Sequence, residues 1–234
     1  MAEERATLHD FSGPRGRSDR IVASGGAVPG PDDGYAAAVA ALEATPLERG
    51  RVGAGRHATV GKWRGREHAT AGGFGVAEVE VDDVHGVAHV VAFAVVNAVG
   101  DVVGPDGAVL AGTSAPGDGE AFPSGVFGDD ERANTTLIVV ATDAALDKIG
   151  CLLVAQSAHD GLARSIRPSH TRFDGDLAIA LATGTRDSDA TAGGTTDTGA
   201  SAEAPLLDRI RIAAADATEA AIRDAVVAGR ATPS

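Results

Sequence analysis

Apolar and polar residues alternate strictly over residues 76–81 (VAEVEV), which predicts a half-exposed β-strand. Residues 87–96 (VAHVVAFAVV) and 135–143 (TTLIVVATD) are near-continuous apolar runs, rich in β-branched side chains. Such runs are typical of strands buried on both faces. We expect a fourth strand at 177–184 (LAIALATG) and a short hairpin return at 108–110.

Three segments carry the period of an α-helix, at 32–44, 144–166 and about 205–228. The second should end before Pro168, because proline cannot continue a helix. Its apolar residues recur at three- and four-residue spacing: Leu146, Ile149, Leu153, Ala155, Ala158 and Leu162. With strands in the middle of the chain and helices flanking them, the pattern predicts a layered α+β fold, formed as a single domain over residues 1–234.

Segments without period lie between these elements. Residues 1–31 should be irregular, and the polar, low-complexity residues 185–203 should form a flexible loop. Glycine is dense over residues 50–65 and 69–75. The first run lacks the ending of a Walker loop, so we interpret it as backbone that packs closely near a site.

The formal net charge is -13, and only two residues are lysine. This composition resembles that of proteins from salt-loving organisms, although an ordinary soluble acidic protein would also show it. The negative field disfavours nucleic-acid partners. The first residues have no apolar stretch typical of a secretory signal, and no run approaches the roughly 18 apolar residues of a membrane span. The single cysteine, Cys151, excludes an intrachain disulfide and is expected to be a buried, inert thiol. We therefore expect a cytoplasmic protein with no membrane partner.

The pair Asn134–Thr135 precedes a buried strand and carries possible chemistry. If the chain breaks between them, Thr135 gains a free α-amine beside its hydroxyl. An amine with a pKa near ~8 can take the hydroxyl proton, so the residue becomes its own base. On its own the pair is equally a glycosylation sequon or a simple strand start.

Several further motifs along the chain support the chemical interpretation of this pair. They are VGAGRHATVGK (52–62), AGGFG (71–75), VVNAVGDVVGPDGAVLAG (95–112), NTTLIVVATDAAL (134–146) and AQSAHDGLARSIRPSHTRFDGDLAIALATG (155–184). Over residues 50 to 184 the chain resembles the DmpA family, the L-aminopeptidase/D-esterases, to which the nylon-oligomer hydrolases belong. The resemblance implies a four-layer αββα sandwich, shared with ornithine acetyltransferases. It also implies self-cleavage into α and β chains that assemble further, so we expect a homo-oligomer of cleaved units.

Carried onto this sequence, the resemblance makes Thr135 the nucleophile and Asn134 the residue before the cut. Asn97 matches the asparagine whose amide holds the oxyanion, a role that suits a fixed donor at a strand end. Asp174 and Asp176 match a polar pair beside the nucleophile, where they could orient its amine. The implied enzyme hydrolyses small peptides or amino-acid amides without a metal or organic cofactor.

Lys62 has two interpretations. Some nylon-hydrolase relatives use a lysine in this neighbourhood, which would make Lys62 catalytic. The family's KGG lysine, however, would fall at Ala71, and Lys62 would then be an ordinary surface lysine. The seven histidines show no metal-binding pattern, and His85, His89, His159 and His170 are expected to be structural.

Relatives have an opening segment and about a hundred more residues before VGAG, whereas in residues 1–49 only GPDDGYAAAVAAL (30–42) resembles the helix that precedes VGAG in them. The chain therefore looks shortened at its N-terminus. Two rival functions follow from these observations. A shortened homologue could be a non-catalytic structural or binding subunit, and the fold could also support acyl transfer of the ornithine acetyltransferase type.

Overall fold

A computed structural model describes residues 30–42, 47–83, 86–117, 122, 134–185 and 206–231. Its helices are α1 (Pro31–Leu42), α2 (Lys148–Ser165) and α3 (Leu206–Ala231). Its strands are β1 (Thr59–Val60), β2 (Thr70–Ala71), β3 (Gly73–Asp83), β4 (Gly86–Asn97), β5 (Asp101–Val103), β6 (Val109–Ala111), β7 (Thr135–Thr142), β8 (Ile166–Arg167) and β9 (Leu177–Ala182). The predicted irregular segment 1–31 and loop 185–203 fall almost wholly outside the described residues, as does His85.

A four-stranded sheet in the order β3-β4-β7-β9 forms the centre of the fold. The pairs β3–β4 and β4–β7 are antiparallel, whereas β9 runs parallel to β7. The parallel pair is joined by α2, which is the crossover that parallel strands require. All four strands were predicted from the apolar pattern, with bounds that differ by a few residues.

One face of this sheet packs against α2 and α3. The residues of β4 that point to this side are small or β-branched and buried: Ala88, Val90, Ala92, Ala94 and Val96. Glycines of β3 bring the backbone of α3 unusually close, since a Cβ on Gly75 would lie 2.1 Å from the carbonyl oxygen of Ala221. The glycine-dense run at 69–75 thus allows close backbone packing, as predicted.

Helix α2 begins four residues later than the apolar pattern predicted. The side chain of Asp147 accepts a hydrogen bond from the Gly150 N–H and caps the helix, so residues 144–147 stay outside it. The predicted apolar face was partly wrong: Ile149 is 61% exposed, and the buried stripe runs through Val154, Ala158 and Leu162. Cys151 is only partly buried, which corrects the expectation of a buried thiol.

Two smaller sheets complete the described structure. Strands β1 and β2 pair with each other, and β6, β5 and β8 form a three-stranded sheet. Of these five strands, only β6 was predicted, as the return near 108–110. The others are two or three residues long, too short for any periodicity to show in sequence.

The second face of the four-stranded sheet is apolar but incompletely covered by described residues. Phe93, Val95 and Val139 on this face are half-buried, and Leu181 is 53% exposed. Along β4 and β7 the fully buried and half-buried residues alternate, as expected when helices cover one face alone. Among the described helices, none is both long enough and apolar enough to span a bilayer.

Candidate active site

Thr135 and Asn97 face each other across neighbouring strands. Thr135 is the first residue of β7, Asn97 is the last of β4, and the two are register partners. Directly opposed side chains of an antiparallel pair point to the same face of the sheet. Both residues therefore lie at one end of the half-covered face, away from the helices.

The peptide bond before Thr135 is held by the FDGD loop. Asn134 is fully buried, and its carbonyl oxygen accepts a hydrogen bond of 2.7 Å from the Gly175 N–H. Its side-chain nitrogen lies 3.4 Å from the Phe173 carbonyl, while its Oδ1 has no hydrogen-bond partner among the described residues. A backbone N–H on a carbonyl oxygen polarises that carbonyl and would stabilise the negative charge that forms when it is attacked.

Gly175 also approaches the Thr135 hydroxyl. A Cβ at this position would lie 2.9 Å from Thr135 Oγ1, closer than Cβ atoms come to other atoms in real structures. Gly175 thus lies against both the Thr135 hydroxyl and the Asn134 carbonyl group of the peptide bond before it. Only a glycine leaves the hydroxyl in its present position.

Lys62 is buried, so the interpretation as an ordinary surface lysine was wrong. It is 2% exposed, and its Nζ donates to Asn97 Oδ1 at 2.8 Å and to the Asn97 carbonyl at 3.2 Å. Burial, reinforced by the positive charge of Arg66, lowers the pKa of Lys62 to about 7, against a smaller opposing effect of Asp174. Both charge states of this amine are therefore populated near neutral pH.

The same contact fixes which way the Asn97 amide points. The backbone N–H of Thr59 lies on the same atom and can only donate, as can the charged form of Lys62, so the atom that faces Lys62 is the amide oxygen. The Thr59 N–H donates to this oxygen as well, at 3.1 Å. The two donors therefore hold the amide oxygen of Asn97, and its amide nitrogen is directed away from them. This arrangement suits a preorganised donor for an oxyanion.

Asp174 and Asp176 flank the nucleophile from the same loop. Asp174 Oδ1 accepts from the Val99 N–H at 3.1 Å, and its Oδ2 accepts from the N–H and the hydroxyl of Thr171. Asp176 Oδ1 accepts from the Thr136 N–H at 2.9 Å. Burial, together with the negative charge of Asp176, raises the pKa of Asp174. These contacts anchor both carboxylates near Thr135, and among the described residues no hydrogen bond joins either of them to the Thr135 hydroxyl.

A histidine joins this group that the sequence did not predict. His170 Nδ1 lies 2.9 Å from Asp176 Oδ2, and the His159 ring is 5.0 Å away between centroids. His89 pairs instead with Glu78 on the open surface. No group of histidine, cysteine and carboxylate side chains able to hold a metal occurs within the described residues.

Comparisons with known proteins agree with this geometry. The sequence profile of Peptidase family S58 matches residues 23–234. The chain belongs to Peptidase family S58. An uncharacterized aminopeptidase of Mycobacterium leprae is 38% identical over 209 residues, which cover 83% of this chain and 52% of that protein. A 6-aminohexanoate-oligomer endohydrolase of Paenarthrobacter ureafaciens is 33% identical, over 62% of this chain and 43% of that protein.

Solved structures of S58-like enzymes share the fold. The L-aminopeptidase D-Ala-esterase/amidase of Ochrobactrum anthropi, described as a variant of the Ntn-hydrolase fold, superposes with a TM-score of 0.51 at 20% identity. The alignment covers 78% of this chain and 46% of that one. A Burkholderia β-aminopeptidase gives the same TM-score at 25% identity, over 78% of this chain and 47% of its own. The family resemblance and the α+β sandwich architecture inferred from sequence are thereby confirmed.

This S58 chain spans about half the length of the curated relatives that it matches. Family membership supports a peptidase or related hydrolase. The roles of individual residues, the self-cleavage and the substrates belong to the proposals that follow.

Proposed function

We propose that this chain is a self-processing amide hydrolase, cut between Asn134 and Thr135, with Thr135 as its N-terminal nucleophile. Its substrates would be small peptides or amino-acid amides. The observation that carries the proposal is the position of Asn97, Gly175 and Asp176 around the peptide bond between Asn134 and Thr135, at the start of β7.

Self-cleavage would begin with attack of the Thr135 hydroxyl on the Asn134 carbonyl carbon. The Gly175 N–H already donates to the oxygen that becomes negative, which supports this assignment. As the C–N bond breaks, the Thr135 nitrogen takes up the proton that the hydroxyl lost and becomes an amine. Asn134 is left as an ester on the Thr135 oxygen. Water then hydrolyses the ester, giving the Asn134 carboxylate and a free N-terminal threonine.

The cut enzyme would use the same hydroxyl on a substrate amide. The free α-amine of Thr135 accepts the hydroxyl proton, the acyl group passes to Oγ1, and the substrate amine leaves with a proton. Asn97 would donate to the oxyanion, with its amide oriented by Lys62 and Thr59. Water releases the acyl group and regenerates the threonine.

The first test is the intact mass of the purified chain under denaturing conditions. We expect two species, residues 1–134 and 135–234, and only the full-length species for Thr135→Ala. Thr135→Ser keeps a hydroxyl and should still be cut. A parent chain that stays uncut after prolonged incubation contradicts the proposal.

Substrate hydrolysis is tested separately with amino-acid p-nitroanilides. Release of p-nitroaniline by the cut protein, absent in Thr135→Ala, is the expected result. Acetyl transfer from acetylornithine to glutamate instead would indicate the acyltransferase alternative.

A second function, that of a non-catalytic subunit, is favoured by one observation. The sheet face that carries Thr135 is apolar and half-covered by described residues, with Leu181 53% exposed. A folded, uncut and inactive parent chain would support this alternative.

A further inference from the structure

Asp176 is a buried carboxylate with two different partners. Its side chain is 4% exposed; Oδ1 accepts the Thr136 N–H, and Oδ2 lies 2.9 Å from His170 Nδ1. Because Thr136 directly follows Thr135, the carboxylate holds the backbone of the strand start that carries the hydroxyl. A buried carboxylate needs a compensating donor or cation, and His170 supplies it.

The backbone at His170 is unusual in a way that serves this contact. Its φ is 52°, a left-handed conformation that residues other than glycine seldom adopt. The side chain is 39% exposed, so the imidazole bridges the solvent and a buried carboxylate. The conformation costs free energy, which the contact with Asp176 can offset.

We propose that His170 is a positioning residue for the reaction at Thr135, acting through Asp176 to fix the strand start. The inference rests on the proposed function and adds a residue to those that the family resemblance assigned to the site. Among the described residues, no contact joins His170 to Thr135, so His170 is not assigned to the chemistry itself.

Two groups lie against His170. The His159 ring of α2 is 5.0 Å from its ring between centroids, and Asp176 Oδ2 is 2.9 Å from its Nδ1. Burial and the neighbouring His170 lower the pKa of His159. Asp176 also acts on Asp174, since its negative charge, after burial, raises the pKa of Asp174. A residue that holds Asp176 in place therefore bears on both carboxylates beside Thr135.

Three variants test the proposal, measured on the complete chain. His170→Leu removes the donor. His170→Asn retains an N–H near the Nδ1 position and tolerates the left-handed backbone. His89→Leu breaks an exposed pair of a histidine with a carboxylate, Glu78, at a position eight residues along β4 from Asn97, and serves as the control. Each variant is followed by intact mass, by chemical denaturation and by kcat and KM on an amino-acid p-nitroanilide.

We expect His170→Leu to lower kcat by about tenfold, the usual size of a lost orienting contact, with KM within about twofold. His170→Asn should recover most of the activity, and His89→Leu should match the parent. A purely structural role predicts a loss of kcat that follows a lowered free energy of unfolding and that His170→Asn does not recover, and that result overturns the proposal.

A double-variant comparison decides the matter if His170→Leu does not fold, with His170→Gly, which removes the ring and tolerates the left-handed backbone. If His170 acts through Asp176, adding His170→Gly to Asp176→Asn has no further effect on kcat. Multiplying effects would refute the inference. A parent that is neither cut nor active refutes the proposed function and the inference with it, whereas an active parent matched by both His170 variants refutes the inference alone.

Discussion

Replacing Gly175 by alanine should slow self-cleavage without disturbing the fold. The added Cβ would lie 2.9 Å from Thr135 Oγ1, whereas ordinary contacts at such a carbon fall between 3.4 and 4 Å. The hydroxyl must therefore move by about 0.5 Å or more, the difference between 3.4 and 2.9 Å. The next contact, with the Asn134 carbonyl oxygen at 3.7 Å, is unstrained. The perturbation is thus confined to the attacking atom.

The expected size follows from the geometry of attack. Reacting atoms must lie about 3–3.5 Å apart, and a displacement of about 1 Å can cost roughly 10²-fold in rate. We expect cleavage of Gly175→Ala to be about 10- to 100-fold slower. Because Gly175 does not have a left-handed backbone, the added methyl group causes no conformational strain.

Cell-free synthesis followed by a time course of denaturing gels or mass spectra measures the rate directly. Gly34→Ala is the matched control, because a Cβ there meets nothing within 4 Å. Adding Thr135→Ser to Gly175→Ala should restore part of the rate, since serine lacks the methyl group that restricts the hydroxyl rotamer. Cleavage of Gly175→Ala at the parental rate would show that the hydroxyl does not attack from its present position.

Three further predictions concern stability and are measured by chemical denaturation. Lys62 has a pKa of about 7 in the fold and 10.5 as its ordinary value, so between these values the unfolded chain binds more protons and stability rises with pH. The stability of the parent relative to Lys62→Met should therefore grow by about 1 to 2 kcal/mol from pH 7.5 to 9; a constant difference would contradict the buried, uncharged amine. Asp147→Ala should lower the free energy of unfolding by about 1 kcal/mol, because the cap of α2 is lost. Asp160→Ala, on the exposed face of α2, is the control, and an equal effect of both variants would refute the cap. Gly75→Ala places a Cβ 2.1 Å from the Ala221 carbonyl and should cost about 2 kcal/mol or more, and parental stability would show that β3 and α3 can separate freely.

The apolar pattern predicted the long elements well, because burial on one face imposes a period that the sequence displays. The start of α2 was missed, since Leu146 continues the pattern although Asp147 caps the helix after it. Strands β5 and β8 were missed because three and two residues cannot show a period. Pattern alone therefore predicts the layers and leaves out the small sheet that borders the site.

The candidate site, too, was predicted only in part from the sequence. Thr135 and Asn97 came from motif resemblance, yet their opposition depends on the β4–β7 register, which one sequence does not disclose. Lys62 was ambiguous because the family's KGG lysine would fall at Ala71, whereas its burial comes from chain folding over Asn97. His170 was expected to be structural, because nothing in the sequence indicates that its ring meets Asp176. These contacts join residues that are far apart in the chain or depend on a turn. Neither kind of contact produces a hydrophobic period in the sequence.

The sheet order has a consequence for the protein after the proposed cut. Strand β7 would belong to the C-terminal fragment, yet it pairs along its whole length, from Thr135 to Thr142, with β4 of the N-terminal fragment. Helix α3 of the C-terminal fragment also packs on β3 of the other. The two fragments would share one hydrophobic core and stay associated. Their unfolding would become a dissociation, so that the cut protein, unlike the uncut chain, would unfold at a temperature that rises with its concentration.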